Sequence, residues 1–189
     1  MSHALHGVQK FVVQQRLTMM VNRYAVHLLT PDGQVGHMVA VAQQKRLAFK
    51  EQVTFYADEA RTAPVFSFKA QQVMDLAATY DVFDGQGTPI GMFRKDFAKS
   101  LLRSTWHLGA AGVAATGHER NQALAIVRRV VDLPIPYHFD FVDGAGQPVM
   151  SVERQFTLRD RYTVTVPGAR IDGRVAAAMT VALDALQAR

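Results

Sequence analysis

The chain has 189 residues, 49% of them hydrophobic and 20% charged, so it can enclose one full hydrophobic core as a single domain over residues 1–189. It contains no cysteine, which excludes disulfides and metal sites built from thiolates. The formal net charge of +5 favours anionic partners. The first seven residues lack a basic start and an apolar run, so we expect no signal peptide. No segment is apolar for long enough to predict a membrane-spanning helix.

Three stretches of alternating apolar and polar residues are each interrupted by an Asp-Gly turn, which is the pattern of β-hairpins. The turns are Thr30–Gly33, Asp84–Pro89 and Asp143–Pro148. The other predicted strands are Lys10–Leu17, Val53–Tyr56, Val65–Ala70, Val73–Ala78, Trp106–Leu108 and Arg161–Val166. The total of about a dozen strands is enough to close a β-barrel.

The second and third hairpins match each other across the turn. Asp81, Asp84 and Pro89 of the second hairpin correspond to Asp140, Asp143 and Pro148 of the third. This match indicates either an internal duplication or the same turn chemistry used twice.

Two helices are predicted, and they differ in polarity. Glu119–Val131 places its apolar residues on one face, so we expect it to pack on the outside of the barrel. Ile171–Arg189 is apolar all round from Val175 to Leu183, apart from Thr180, and is too short to span a bilayer. Such a helix has to be enclosed by the rest of the protein.

The C-terminal helix has a recognisable start and end. Asp172 is placed to cap its first turn, and Asp184 interrupts the apolar run where we expect the helix to emerge into solvent. The residues predicted to form the core of the helix are Val175, Ala178, Met179, Val181, Ala182, Leu183 and Leu186. The predicted fold is therefore mainly β, a closed antiparallel barrel of about twelve strands around a central hydrophobic C-terminal helix.

Several segments carry a resemblance to a known family. They are Tyr80–Gly85, Ile90–Lys95, Trp106, Tyr162–Val164 and the closing helix Asp172–Asp184. In this order they resemble the tubby C-terminal-like superfamily, in its branch of LURP-one-related and phospholipid-scramblase-like proteins. The resemblance implies the same barrel around a central C-terminal helix.

The functional implications of the resemblance differ among its branches. Tubby domains bind phosphoinositides through basic surface residues, LURP-one proteins are linked to plant defence, and scramblases are reported to move phospholipids with calcium. This chain lacks the cysteine-rich and proline-rich segments of scramblases. It also lacks an acidic loop of calcium-binding spacing before the terminal helix. The resemblance therefore favours lipid binding over lipid transport.

Basic residues cluster near the second and third hairpins, and clustered Arg and Lys can hold the phosphate oxygens of anionic headgroups. The candidate residues are Arg94, Lys95, Lys99, Arg103, Arg154, Arg159 and Arg161. The alternative interpretation is a solvated strand edge, where positive charge discourages pairing with other strands. Glu153 and Asp160 lie among the arginines of the second group and can neutralise them.

Catalytic and metal-binding patterns are weak throughout the chain. The seven histidines form no pair with metal-ligand spacing outside the N-terminus, and no serine lies in a Gly-x-Ser-x-Gly context. Gly85-Gln86-Gly87 is not followed by the helix that a phosphate-binding loop requires. We therefore expect a non-enzymatic binding module for anionic phospholipid, without cofactor or metal and with no nucleic-acid partner. A scramblase-like protein and a small-molecule carrier or enzyme are the alternatives.

The cellular location follows from the same features. Absence of cysteine and of a signal peptide fits a cytoplasmic protein, and lipid recognition would bring it to the membrane surface as a peripheral protein. The sequence leaves the oligomeric state open.

Overall fold

A computed structural model describes residues 3–17, 21–45, 52–71, 79–96, 104–120, 138–155 and 160–187. Within these ranges the chain forms a closed barrel of twelve antiparallel strands and one α-helix. The strands are β1 (Lys10–Leu17), β2 (Val21–Leu29), β3 (Val35–Lys45), β4 (Gln52–Tyr56), β5 (Pro64–Ala70), β6 (Thr79–Asp84), β7 (Pro89–Asp96), β8 (Thr105–Ala110), β9 (Val113–Glu119), β10 (His138–Asp143), β11 (Pro148–Gln155) and β12 (Arg161–Thr165). Helix α1 spans Gly173–Gln187.

The strands follow one another around the barrel in chain order, and β12 closes the ring by pairing with β1. Side chains alternate between the lumen and the outer surface, as the period of two in a strand requires. Large aromatic residues fill much of one inner wall. The rings of Phe55 and Phe66 stack with their centroids 4.1 Å apart, and Phe93 contacts Phe68, Tyr80 and Trp106.

Helix α1 occupies the lumen and completes the hydrophobic core. Every residue from Val175 to Leu183 is fully buried, and Asp172 caps the helix by accepting a hydrogen bond from the backbone N–H of Arg174 at 2.8 Å. The wall lies close to the helix at Gly91, where an added Cβ would be 2.8 Å from a methyl group of Val175. The predicted barrel around a central helix is thus confirmed; of the predicted core residues, only the side chain of Leu186 lies outside the described part.

The two ends of the barrel differ in how the strands are joined. At the end where α1 begins, which we term the entry rim, short turns at residues 30–34, 57–63, 85–88, 111–112 and 144–147 connect consecutive strands. At the end where α1 finishes, which we term the exit rim, the strands stop and restart at positions 17/21, 45/52, 70/79, 96/105, 119/138 and 155/161. The chain between these six pairs of strand ends lies largely outside the described residues.

The two matched hairpins have the same turn geometry. Asp84 Oδ1 accepts hydrogen bonds from the backbone N–H groups of Gln86 and Thr88 at 2.9 and 2.8 Å, and Asp143 Oδ1 accepts the equivalent bonds from Ala145 and Gln147, both at 2.9 Å. Each hairpin also carries a bulge at the equivalent position of its first strand. The shared geometry explains the sequence match through turn chemistry and is also compatible with a duplication.

Four sequence-based assignments need comment. Glu119 ends β9 and does not begin a helix, because its strand pairs with β10; the remainder of the predicted helix lies outside the described residues, as does the predicted strand Val73–Ala78. Trp106–Leu108 is part of a longer strand, β8. Strand β9 was not predicted, because its inner face includes the small residues Ala115 and Gly117, the second of which leaves room for the ring of Phe141.

Candidate functional site

The basic residues near the second hairpin do not share one surface. Arg94 is exposed on the outer face of β7. Lys95 is directly opposite Trp106 on β8, on the inner face of the barrel, and its Nζ lies 5.8 Å from the centroid of the Trp106 ring. Strand alternation places Lys95 on the same, lumen-facing side as Phe93, two residues earlier, so it does not share the outer surface of Arg94; its role in binding an anionic headgroup stays a prediction. Lys99 and Arg103 lie outside the described residues.

The second basic group is largely neutralised. Arg154 is opposite Tyr162 on the inner face, and its Nη2 lies 2.8 Å from Asp160 Oδ2 in an ion pair whose side chains are 18% and 20% exposed. Arg161 is half-buried, and its Nε finds no hydrogen-bond acceptor within the described ranges. Arg159 lies outside those ranges. Arg154 is therefore held by a carboxylate and is not presented to an outer ligand.

The two groups are also far apart on the barrel. Strands β7 and β11 are separated by β8, β9 and β10. Four inter-strand steps of about 4.8 Å give a separation of roughly 19 Å along the wall. The structure therefore does not bring Arg94 together with Arg154 and Arg161 in a single pocket.

A buried carboxylate at the exit rim was not predicted as a site. Asp184 is only 7% exposed, although the sequence suggested that the helix emerges there. Its Oδ2 accepts hydrogen bonds from the hydroxyl of Tyr24 at 2.7 Å and from Gln15 Nε2 at 2.5 Å, and its Oδ1 accepts one from the hydroxyl of Tyr162. The helix stays inside the barrel at this position because the wall supplies three donors. The one signal for this arrangement in the sequence is that an aspartate, Asp184, directly follows the apolar run of the helix.

Burial controls the proton equilibria of this cluster. It raises the pKa of Asp184, although the hydrogen bonds from Tyr162 and Tyr24 and the charge of Arg154 act in the opposite direction. Burial next to this carboxylate also raises the pKa of Tyr24 far above its usual range. Tyr24 is therefore a neutral hydrogen-bond donor at physiological pH.

Unsatisfied polar atoms also lie at the exit rim. Within the described part of the chain, the buried side-chain atoms without a hydrogen-bond partner are Asn22 Oδ1, Trp106 Nε1, His138 Nδ1 and Arg161 Nε. Each belongs to the first or second residue of a strand that starts at the exit rim. A buried polar group without a partner costs free energy, and among the described contacts these four atoms lack the partner that would offset that cost.

The net positive charge of the sequence comes from residues outside the described ranges. The described residues include thirteen basic and thirteen acidic residues, so their formal charges cancel. The chain segments that connect strand ends at the exit rim outside the described ranges carry a net charge of +4 in sequence, and Arg189, after α1, supplies the remaining charge. The residues of these segments are the basic Arg46, Lys50, Lys99, Arg103, Arg128, Arg129 and Arg159 and the acidic Glu51, Asp75 and Asp132.

The entry rim carries a groove of about 620 Å³, lined in part by Ile90, Ala111 and the first residues of α1. Its two arginines already have partners. Arg170 Nη2 lies 2.5 Å from Asp143 Oδ2, and Arg174 Nη2 lies 2.7 Å from Asp172 Oδ2. With its arginines neutralised in this way, the groove shows no preference for a charged ligand.

The described ranges contain no group of three or more His, Asp or Glu side chains that could hold a metal ion. No helix in them combines the length and the apolarity that a membrane crossing requires.

A closed antiparallel barrel filled by its own C-terminal helix is the fold that the resemblance to tubby-like proteins implied. The chain belongs to the LURP-one-related family, whose model matches residues 38–184. The comparison confirms the resemblance inferred from the sequence.

Other comparisons add little. A search of curated proteins finds no match. Among solved structures, the chain is similar to a porin-like protein from Bacteroides uniformis at 8% sequence identity and a TM-score of 0.26, over 87% of this chain and 98% of that chain. A likeness at this level carries no argument about fold or function.

Proposed function

We propose that the protein is a non-enzymatic binding module that recognises an anionic phospholipid surface through its exit rim. The observation that carries the proposal is a pattern in the sequence: the residues outside the described ranges between consecutive strands hold seven basic and three acidic side chains, a net charge of +4. Basic residues near an anionic surface contribute about 1 kcal/mol each to binding. Arg94, whose side chain is exposed, is the third residue from the end of β7, just before one of these segments in sequence.

The filled lumen supports an external site over an internal one. Helix α1 is fully buried from Val175 to Leu183, so it occupies the space that a carrier would use for a small molecule. The same burial disfavours the scramblase-like alternative, because inserting this helix into lipid would remove the core of the barrel. We therefore favour recognition at the outer surface.

Liposome flotation tests the proposal. Purified protein is mixed with neutral phosphatidylcholine vesicles or with vesicles that also contain phosphatidylserine or a phosphoinositide, at rising salt concentration. We expect binding only to the anionic vesicles, with a steep decrease as salt rises, because the attraction is screened within about 8–10 Å at physiological ionic strength.

A matched pair of variants locates the surface. Arg94→Gln with Arg103→Gln removes two charges from the exit-rim side, and Lys10→Gln with Arg61→Gln removes two exposed charges from the entry-rim side. We expect the first pair to weaken binding by about 2 kcal/mol, or about thirtyfold, and the second to change it much less. Equal effects of both pairs, or flotation that ignores salt, would contradict the proposed surface.

A further inference from the structure

Helix α1 carries one buried carboxylate, Asp184, within a segment that is otherwise held by non-directional contacts. From Val175 to Leu183 the helix presents Val, Ala, Met and Leu side chains to the wall, and its one polar residue, Thr180, donates a hydrogen bond to the carbonyl of Ala176 within the helix at 2.8 Å. Asp184, one turn after Thr180, is the first α1 residue after Val175 whose side chain bonds to the barrel wall.

Apolar contacts alone define the position of such a helix poorly. A shift of one helical turn, about 5.4 Å, or a rotation by one residue would place similar small and aliphatic side chains against the same wall. The dispersion and burial energies of these arrangements differ little, because Ala and Val recur along the segment. A directional interaction, such as a hydrogen bond, is therefore needed to select one position of the helix.

The donors to Asp184 come from three neighbouring strands and lie at one height of the barrel. Gln15 on β1 and Tyr24 on β2 are direct cross-strand partners, and Tyr162 on β12 is paired with Val13 of β1. A slide of one turn towards the exit rim would bring Thr180, whose hydroxyl already bonds within the helix, to this height. A slide in the other direction would move Asp184 among the apolar side chains of the lumen.

We propose that Asp184, with Gln15, Tyr24 and Tyr162, is a register lock that fixes the axial position and the rotation of the C-terminal helix inside the barrel. Buried polar groups have this role where apolar packing allows several registers. The groups that face the carboxylate are the three donors, together with Arg154 on β11 and Asp160 just before β12, which form an ion pair with each other. The lock sets the height at which the helix ends at the exit rim, and it does not depend on the proposed lipid binding.

Side-chain methyl NMR of Asp184→Leu and Asp184→Asn tests the lock. Leu replaces the carboxylate by an aliphatic group of similar size, whereas Asn keeps one acceptor oxygen in place. We expect one set of methyl signals for Val175, Val181 and Leu183 in the native protein and in Asp184→Asn, and doubled or broadened signals for the same residues in Asp184→Leu.

A cross-link provides a second measurement. Because the chain has no cysteine, Gly91→Cys with Val175→Cys introduces the only thiol pair, at a point where wall and helix are in contact. In the native register we expect near-complete disulfide formation, and with Asp184→Leu added we expect the yield to fall at least severalfold. A single set of methyl signals and an unchanged cross-link yield in Asp184→Leu would overturn the proposal. Failure of this variant to fold would also overturn it, because Asp184 would then be required for folding itself.

Discussion

The polar groups at the two rims of the barrel are paired in different ways. At the entry rim, Asp84 and Asp143 satisfy turn N–H groups, and Arg170 and Arg174 are paired with carboxylates. At the exit rim, a carboxylate is buried inside the lumen and several polar atoms lack partners within the described ranges. Such departures from full satisfaction concentrate where a protein binds or switches, so the comparison directs attention to the exit rim.

The largest expected effect comes from adding a carboxylate where the wall offers no donors. Ala178→Asp or Val181→Asp should abolish folding, because a buried charge without a partner costs several kcal/mol and native domains have only about 5–15 kcal/mol of stability. Deletion of Ile171–Arg189 should have the same result. Circular dichroism and thermal unfolding measure the outcome.

The control for this prediction is Ala114→Asp, on the exposed face of β9, which should change the free energy of unfolding by less than about 0.5 kcal/mol. A cooperatively unfolding Ala178→Asp variant would show that charge is tolerated in the lumen. In that case Asp184 would need no special environment.

A smaller effect is expected from close packing of the wall near the exit rim. A Cβ on Gly117 would overlap the ring of Phe141, whereas a Cβ on Gly144, in an entry-rim turn, would meet no atom within 4 Å. Gly117→Ala should therefore lower the free energy of unfolding by about 1–3 kcal/mol, and Gly144→Ala should leave it nearly unchanged. Denaturant unfolding of both variants measures the difference; equal stabilities would mean that Phe141 moves aside without cost.

These contrasts show which parts of the molecule can be predicted from sequence. The hairpins and the central helix were predictable because Asp-Gly turns and an all-round apolar segment are local signals. The inward position of Lys95 was also within reach, since it lies two residues after the buried Phe93. The burial of Asp184 was not, because its donors Gln15, Tyr24 and Tyr162 come from strands distant in sequence, and only the closure of β12 on β1 brings them together.

The pH dependence of stability should have opposite signs at the two rims. The hydrogen bond from Arg170 lowers the pKa of Asp143 below its ordinary value of 3.8, so this side chain stabilises the fold above pH 3.8 and loses that contribution as pH falls through its lowered pKa. Burial raises the pKa of Asp184 above 3.8, so its contribution is most favourable below pH 3.8 and decreases as pH rises through the raised pKa.

Differences between variants isolate these two contributions. Melting temperatures of the native protein, Asp143→Asn and Asp184→Asn are compared at a series of pH values from well below 3.8 to neutral. We expect the advantage of the native protein over Asp143→Asn to shrink on acidification, and its stability relative to Asp184→Asn to improve on acidification. If both differences in melting temperature changed with pH in the same direction, burial would not raise the pKa of Asp184.

The smallest expected effect is that of calcium, which should be absent. Calcium takes six to eight oxygen ligands, usually with several carboxylates from one loop. Asp84 and Asp143 each use one oxygen for turn N–H groups, and the other oxygen of Asp143 is paired with Arg170. Asp140 accepts hydrogen bonds from Nε and Nη2 of Arg120, at 2.7 Å each, and Asp81 accepts hydrogen bonds from Gln71.

Calcium would therefore have to displace existing partners of Asp81, Asp140 and Asp143. We expect no change in melting temperature at about 1 mM calcium, the weak end of protein affinities, and no calcium-triggered lipid movement in reconstituted vesicles. Magnesium at the same concentration is the ionic control. A stabilisation by calcium alone that Asp84→Asn or Asp143→Asn removes would restore the scramblase-like alternative and would move the functional site from the exit rim to the entry rim.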